Sequence, residues 1–577
     1  MTKLPESTLP HTGYDEDAFR RARPGGHASS RAERSRARHW DGVLYVGVAV
    51  GVGLMLLAGS VEFYWLRDLK FDDAWIHFRY AQNLAHGKGF VYNEGERVLG
   101  SGGIAWEVIL AVLARMTTSD TLPYAVSTLN YIALVACGAL LYMILREMLL
   151  PWLALGISAL LIAQGPLPIS SIGGMETTLL CVGYFSTLLA LLRERYVLAA
   201  FFAGVTVCLR VESLALLAAT LLAALLYRRR ASLAVLAAGV TLPLLAHGWA
   251  WAYFGSLVPN STLAKSVVYV EPPHGALIAC FRSLLDVFPF DHLVPNRSSH
   301  PDLARWLGIL VWLVLVEVGY LVLRRRRRAA SLVIIQVVGA FAFYTVANPY
   351  MFDWYECTFV PLAMLFAVLG VCAIAGRIPG LRAAPSASAL VIVVIASFGS
   401  LRSTWSPFGP DDPRFSFTRP NAQEHTRTYQ YVNIARWLNE RSTPTDRVCI
   451  SEIGAFGYHY RGRILDGIGL VSPEVLPYHP LPEGMRPSGR TGAIPPRVVR
   501  DFLPEFVVSL DVFAEALFEE PWFNRRYRMI GRWPWFGAPA PWRDVPALVP
   551  VLGGKEIRAY RRVDAVRGRV RAEGSTP

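Results

Sequence analysis

Residues 303–328 read LARWLGILVWLVLVEVGYLVLRRRRR. A nearly continuous apolar run ends at Leu323 and is followed directly by the arginines Arg324–Arg328. At about 1.5 Å per residue, a helix of this length crosses a hydrocarbon core of about 30 Å, and arginines that follow such a helix stay in the cytoplasm. The stretch therefore predicts a transmembrane helix with a cytoplasmic C-terminal end.

The rest of the chain has the same apolar character. Of its 577 residues, 53% are hydrophobic and 18% are charged, and the mean hydropathy is +0.34. A water-soluble protein of this size could not bury so much apolar surface, which excludes that class. The formal charge of +13 is carried by basic clusters between apolar segments. Such clusters indicate membrane topology and not a nucleic-acid-binding surface.

Apolar segments of similar length predict about eleven transmembrane helices in all. With residues 303–323, they are residues 42–61, 122–145, 150–169, 177–192, 196–209, 213–227, 231–253, 329–347, 357–376 and 384–401. The run Gly103–Met116 is too short to cross and would put the basic clusters on the wrong side. It is interpreted as a membrane-embedded half helix, with Trp106 and Glu107 near the interface.

The sequence divides into three regions. Residues 1–41 are rich in Pro, Gly, Ser and Arg and predict a disordered cytoplasmic tail. Residues 42–401 form the transmembrane domain, which includes a first outer loop at residues 62–121. An odd number of spans places residues 402–577 outside, where strand-like runs at 447–451, 463–466 and 506–510 predict a small α/β domain. The expected fold is an all-α polytopic membrane bundle with a C-terminal extracytoplasmic α/β domain.

Paired acids stand in the first outer loop, in the segment FDDAWIHFRYAQNLAHG at residues 71–87. Helical spacing of its apolar residues, and Gly87 as a stop, predict a short helix on the membrane surface. One interpretation makes Asp73 its N-cap and Asp72 a dipole partner, worth about 1 kcal/mol. The other is sugar transfer, in which a carboxylate takes the proton of the attacking hydroxyl. Asp72 is then preferred as the base, because Asp73 is better placed to cap the helix.

Basic residues follow on the same predicted side. Arg79 lies two turns along the helix, and Lys265 lies in the loop at residues 253–265. Both are candidate ligands of a donor phosphate, although membrane anchoring is the commoner role of such a lysine. Arg210 and Glu212 interrupt apolar sequence at the outer end of a span, where ionisable residues are costly and often functional. Arg210 is a further candidate ligand of the donor phosphate, and Glu212 is a candidate for binding the sugar or acceptor. A structural ion pair between the two is the alternative.

Three more residues complete the predicted site. Glu176 precedes a span in SSIGGMETT, residues 170–178, and either complements a helix dipole or contributes to binding a sugar or acceptor. Trp354 and Tyr355 belong either to an interfacial aromatic belt or to a surface that stacks on a sugar ring. Since nucleotide sugars are largely cytosolic, a sugar donor used on the outer side is expected to arrive on a polyprenyl phosphate. A divalent cation such as Mg²⁺ or Mn²⁺ is a further candidate component.

These residues resemble a group of bacterial GT-C membrane proteins that are distantly similar to the mycobacterial terminal arabinofuranosyltransferases. The group pattern DDA-aromatic-I-x-FRYA-x-N-L stands here at residues 72–84. Further matches are the continuation to Val98, GGMET at 173–177, PNS-x-LAK at 259–265, the pair Trp354-Tyr355 and ILDGIGLVSPE at 464–474. The resemblance covers most of the chain beyond the tail.

The resemblance implies a GT-C fold and an inverting sugar transfer at the outer face of a bacterial inner membrane. It implies an aspartate of the first outer loop as general base, a polyprenyl-phosphate sugar as donor, and a cell-envelope glycan, lipid or protein as acceptor. The C-terminal domain is expected to help hold that acceptor. The chain departs from the group at Gly100–Gly103, a segment expected to line the acceptor pocket, and at Arg210–Glu212.

Two other functions fit the sequence. A transporter or flippase of lipid-linked sugars would also have an apolar bundle with intramembrane charges, although no inverted repeat typical of transporters is evident. A catalytically inactive scaffold with a glycan-binding outer domain is the second alternative. The presence of both Asp72 and Asp73 favours an enzyme.

Overall fold

The computed structural model describes residues 31–66, 70–227, 232–285, 287, 301–378, 388, 390–395, 397, 427–485, 492–534 and 556–564. Helices occupy the predicted apolar segments, except that residues 384–401 lie largely outside the described residues. The first helix begins at Arg31, so the last residues of the predicted disordered tail are helical. Residues 1–30 of that tail lie outside the described part of the chain.

The apolar helices range from 8 residues to 36 residues in length. Their bounds are Arg31–Leu66, Leu122–Leu145, Pro151–Ile162, Pro166–Gly173, Thr177–Leu192, Tyr196–Leu209, Leu214–Tyr227, Ser232–Phe254, Gly275–Leu285, Pro301–Arg326, Ile334–Ala347 and Val360–Ala375. The loop helices are Asp72–Ala85, Ile104–Met116 and Asn260–Val268, and Arg328–Ser331 is a single turn.

Length and apolar composition identify helices that can cross a membrane. Within the described residues, four qualify: Leu122–Leu145, Leu233–Phe254, Arg305–Arg326 and Arg328–Ala347. Pro151–Ile162 and Pro166–Gly173, bent by 62°, make a fifth if the pair is one span. The remaining apolar helices are shorter. The chain is therefore a membrane protein by its helices, while the predicted number of about eleven crossings exceeds what helix length alone supports.

Close helix packing depends on small residues. A Cβ built on Gly319 would overlap the carbonyl oxygen of Phe366, and one on Gly370 would overlap that of Leu315. The helices Pro301–Arg326 and Val360–Ala375 therefore touch backbone to backbone. Since lipid is as apolar as the side chains, close packing of this kind, and not the hydrophobic effect, holds membrane helices together.

The C-terminal domain is an α/β fold, as predicted. Its mixed sheet has the order β2-β1-β3-β5-β4, in which β1 pairs parallel with β2 and β3, and β5 pairs antiparallel with β3 and β4. The strands are β1 (Arg447–Ile450), β2 (Arg463–Asp466), β3 (Phe506–Leu510), β4 (Tyr527–Pro534) and β5 (Glu556–Arg562). The helices of the domain are Arg427–Asn439, Gly454–His459, Pro496–Phe502, Glu515–Phe518 and Pro521–Arg526. The first three strands occupy the predicted positions.

Candidate functional site

The helix Asp72–Ala85, named here the DD helix, carries the paired acids. Its N-cap is Phe71, no side chain caps it, and both acids stand in its first turn. The predicted N-cap role of Asp73 is therefore wrong, and both carboxylates are available to other elements. The helix ends as predicted, with Gly87 at a φ of 76° just beyond it, a conformation that glycine adopts without strain.

Asp73 forms an ion pair with Lys265, which lies on the helix Asn260–Val268. Lys265 Nζ donates a hydrogen bond to Asp73 Oδ2 at 2.8 Å. The Asp73 side chain keeps 24% of its exposure, whereas Lys265 keeps 12%. Burial lowers the pKa of Lys265, but Asp73, together with Tyr355 and Tyr269, raises it overall. The ammonium group is therefore charged in this site.

Aromatic rings surround the Lys265 ammonium group. Its Nζ lies 4.4 Å from the ring centroid of Phe352, 5.5 Å from that of Trp354 and 5.8 Å from that of Tyr355, within the range of cation–π contacts. Trp354 stacks on Phe352 at 4.7 Å and contacts Phe71 at 5.1 Å. The two residues predicted to stack on a sugar, Trp354 and Tyr355, thus also hold the lysine in place.

Arg210 lies between two glutamates. Its Nη1 donates to Glu176 Oε1 at 2.8 Å and its Nη2 to Glu212 Oε1 at 2.6 Å, and the three side chains are nearly buried. The guanidinium carbon lies 5.0 Å from the ring centroid of Tyr355, which links this cluster to Lys265. The ion pair considered from the sequence is present, with Glu176 as a further member. Arg210 Nε and Glu176 Oε2 are buried without a hydrogen-bond partner among the described residues.

A third polar group lies beside these two clusters. His77 Nδ1 and Glu107 Oε1 are 2.7 Å apart, and the Ser101 hydroxyl donates to the same carboxylate oxygen. Glu107, which the sequence places near the membrane interface, is fully buried within the protein. Burial lowers the pKa of His77, but Glu107 and then Glu176 and Asp73 attract the imidazolium and raise it overall. The histidine therefore belongs to the same electrostatic site as the predicted acids.

Asp72 faces the C-terminal domain. Its Oδ2 accepts the N–H of Gly454 at 3.1 Å and its Oδ1 the N–H of Ala455 at 3.0 Å. These residues begin the helix Gly454–His459, named here the docking helix. Negative charge at a helix N-terminus is favourable because the backbone N–H groups there lack helical partners. Asp72 is thus not the freer of the two acids, contrary to the prediction.

Arg79 joins the same two elements. Its Nε donates to the carbonyl of Tyr92 at 2.8 Å and its Nη2 to that of Gly462 at 3.1 Å. Its Nη1 donates to the carbonyl of Gly457 in the docking helix. With every guanidinium nitrogen engaged by protein oxygens, Arg79 binds the C-terminal domain. Its position gives no support to the predicted role in binding a donor phosphate.

Asn260 connects the helix of Lys265 to the C-terminal domain. Its Nδ2 donates to the carbonyls of Gly469 at 2.6 Å and Leu470 at 3.0 Å. The turn that presents these carbonyls is folded around the buried Asp466, whose carboxylate accepts backbone N–H groups. Burial raises the pKa of Asp466 to about 7, although those N–H groups oppose the change.

The structure therefore brings seven predicted residues together and separates two. The clustered residues are Asp73, Glu176, Arg210, Glu212, Lys265, Trp354 and Tyr355, whereas Asp72 and Arg79 bind the C-terminal domain. Sequence reasoning gave no role to His77, although it lies four residues after Asp73 and hence on the same helix face. Among the described residues, no group of three or more His, Cys, Asp or Glu side chains is arranged to hold a metal ion.

The chain is similar to proteins of known structure along most of its length. ArnT from Cupriavidus metallidurans in the apo state superposes with a TM-score of 0.51 at 13% identity, covering 91% of this chain and 98% of that one. ArnT from the same organism bound to undecaprenyl phosphate gives a TM-score of 0.48 at 12% identity, covering 88% and 97%. The likeness to the apo structure shows the fold, which is of the GT-C type.

Sequence comparison adds one family. Residues 420–557 match the family described as Domain of unknown function (DUF8728). That range covers most of the C-terminal domain, including the docking helix. Among curated protein sequences, none matches the chain.

Proposed function

We propose that this chain, a membrane protein with a GT-C fold, is an inverting glycosyltransferase at the outer face of a bacterial inner membrane. It transfers a sugar from a polyprenyl-phosphate carrier to a hydroxyl group of a cell-envelope glycan, lipid or protein. The observation that carries the proposal is the ion pair between Asp73 and Lys265 beside the Arg210 cluster. It sets a partly exposed carboxylate next to cations that suit a phosphate.

Asp73 is the best general base of the four acids. Asp72 is bound to the docking helix, and Glu176 and Glu212 are bound to Arg210. The Asp73 side chain is more exposed than those of Glu176 and Glu212, and Lys265 is its hydrogen-bond partner among the described residues. An acceptor hydroxyl can therefore reach it without breaking a buried contact.

In the proposed reaction, the acceptor oxygen bonds to the anomeric carbon while its proton passes to the Asp73 carboxylate. The bond between the anomeric carbon and the phosphate oxygen breaks, and its electron pair remains on the phosphate. Lys265 and Arg210 supply positive charge where this negative charge develops. Glu176 and Glu212 fix the guanidinium, and the unpaired Arg210 Nε remains as a donor for a phosphate oxygen.

A transfer assay tests the proposal. The purified full-length protein is incubated with radiolabelled polyprenyl-phosphate sugars and a membrane extract as the source of acceptors, and products are separated by chromatography. We expect label to leave the lipid, and Asp73→Asn to slow this by about 10²- to 10⁴-fold, the usual worth of a general base. Asp120→Asn is the matched control, since Asp120 is an exposed acid of the same loop.

Two outcomes would contradict the proposal. If Asp73→Asn transfers sugar at the rate of the unmodified protein, Asp73 is not the base. If label crosses the bilayer of reconstituted vesicles and no product forms with any sugar tested, the chain is a flippase and not a transferase.

A further inference from the structure

His77 is held in one orientation by buried partners. Glu107 binds Nδ1 at 2.7 Å, and Ser101 donates to the same carboxylate oxygen while accepting the N–H of Gly103 at 3.3 Å. Because a carboxylate only accepts hydrogen bonds, Nδ1 carries a proton and donates a hydrogen bond to Glu107. The remaining ring nitrogen, Nε2, has no hydrogen-bond partner among the described residues, and the His77 side chain keeps 8% exposure.

The His77 ring lies close to the proposed donor site. His77 and Asp73 lie on one face of the DD helix, four residues apart. A Cβ built on Gly103 would lie 3.6 Å from His77 Cε1 and 3.5 Å from the carbonyl oxygen of Leu209, the residue that precedes Arg210. The ring therefore lies near both Asp73 and the Arg210 cluster, whose Glu176 also attracts the imidazolium.

A donor phosphate would enter a site that already holds several carboxylates. Three carboxylates, Asp73, Glu176 and Glu212, face two cations, Lys265 and Arg210. A donor phosphate brings further negative charge into this partly buried place, where unbalanced charge is costly. A protonated His77 can offer its Nε2–H to such a phosphate while its Nδ1–H stays bonded to Glu107.

A purely structural role is the competing explanation. Buried ion pairs add little net stability, because the cost of removing both charges from water offsets their attraction. The pair here also leaves Glu107 Oε2 buried without a partner among the described residues. A pair built only for stability would not need a free Nε2 beside the base.

We propose, resting on the proposed function, that His77 is a donor-phosphate ligand that Glu107 and Ser101 hold in position. Its Nε2–H donates a hydrogen bond to a phosphate oxygen and stabilises the charge that remains there when the glycosidic bond breaks. The acceptor proton still passes to Asp73, and His77 undergoes no net proton transfer. Glu107 acts through His77 and is a positioning residue.

Binding of undecaprenyl monophosphate, the probe, tests this separately from catalysis. Radiolabelled probe in detergent micelles is titrated with the full-length protein at pH 7, and the melting temperature of each variant is recorded. We expect His77→Gln to weaken binding about tenfold or more, the usual worth of a charge-assisted hydrogen bond. His86→Gln should bind as the unmodified protein does, since His86 is exposed on the same helix and bonds to the helix's own backbone.

Glu107→Gln provides a second test should His77→Gln fold poorly. The groups that face His77 are Glu107, Asp73 and Glu176. Removing the Glu107 charge lowers the pKa of His77, because burial then dominates. Because the ligand form is the protonated ring, binding falls as pH rises through this pKa. We expect the fall to occur at lower pH in Glu107→Gln than in the unmodified protein.

The outcomes are distinguishable. If the unmodified protein binds the probe, and both His77→Gln at pH 7 and the pH profile of Glu107→Gln match it, the inference is overturned while the proposed function stands. If the unmodified protein neither binds the probe nor transfers sugar, the proposed function fails and the inference with it.

Discussion

Asp72 and Asp73 are neighbours in sequence but do different work in the structure. Successive residues of an α-helix project about 100° apart, so Asp72 meets the docking helix while Asp73 meets Lys265. A pair of acids in a loop cannot be assigned by sequence alone, because each partner lies far along the chain. The N-cap premise of the sequence argument fails, because no side chain caps the helix.

Asp72→Asn separates docking from catalysis. An Asn side chain has one acceptor oxygen, so it cannot accept a backbone N–H at each of two oxygens as the carboxylate does. We therefore expect the docking helix to be held less tightly by about 2 kcal/mol, the worth of a hydrogen bond to a charged group. The melting temperature in detergent should fall, and transfer should fall only in part. A variant that melts normally but transfers nothing would return Asp72 to the role of base.

At the scale of elements, the docking helix is held by shape as well as charge. A Cβ built on Gly457 would overlap the Tyr92 hydroxyl, whereas one on Gly484, in the same domain, meets nothing within 4 Å. The carbonyl of Gly457 also accepts from Arg79. These contacts leave no space for a side chain between the first loop and the C-terminal domain.

We therefore expect Gly457→Ala to loosen the docking helix, at a cost of about 1–3 kcal/mol typical of overpacking. Amide hydrogen exchange in residues 454–460 should accelerate, while β1 and β3 stay protected. Gly484→Ala should change neither exchange nor melting. Unchanged exchange in Gly457→Ala would show that the two surfaces separate without cost and that docking does not support the site.

For the whole molecule, the predicted orientation has a direct test. Ser266 is exposed one residue after Lys265, and Glu147 is exposed at the opposite predicted side. In intact cells, a membrane-impermeant thiol reagent should label Ser266→Cys, and should label Glu147→Cys only after lysis. The native cysteines are largely buried, which keeps the background low. The reverse labelling pattern would place the site in the cytoplasm and exclude the proposed donor.

Local patterns predicted the elements well and their partners poorly. Helices follow the apolar segments, and β1 to β3 follow short apolar runs that the structure buries. Strand β4 was missed because its side chains are mostly exposed and show no clear alternation. In the site, Lys265 and Arg210 were found because charge is rare beside apolar sequence. The pairing of Glu107 with His77 was missed because the two residues lie 30 positions apart, a separation that helix spacing does not reveal.

The bonds of Asp72 and Asn260 to the C-terminal domain also set an order of assembly. The domain that receives them is synthesised after the helices that carry the site, and its turn at Gly469 and Leu470 binds the start of the Lys265 helix. A nascent chain can therefore insert its helices while the base and its lysine still lack this support. On the proposed function, we expect activity to arise only once the last segment has folded, so that an unfinished chain would occupy the membrane without consuming lipid-linked sugar.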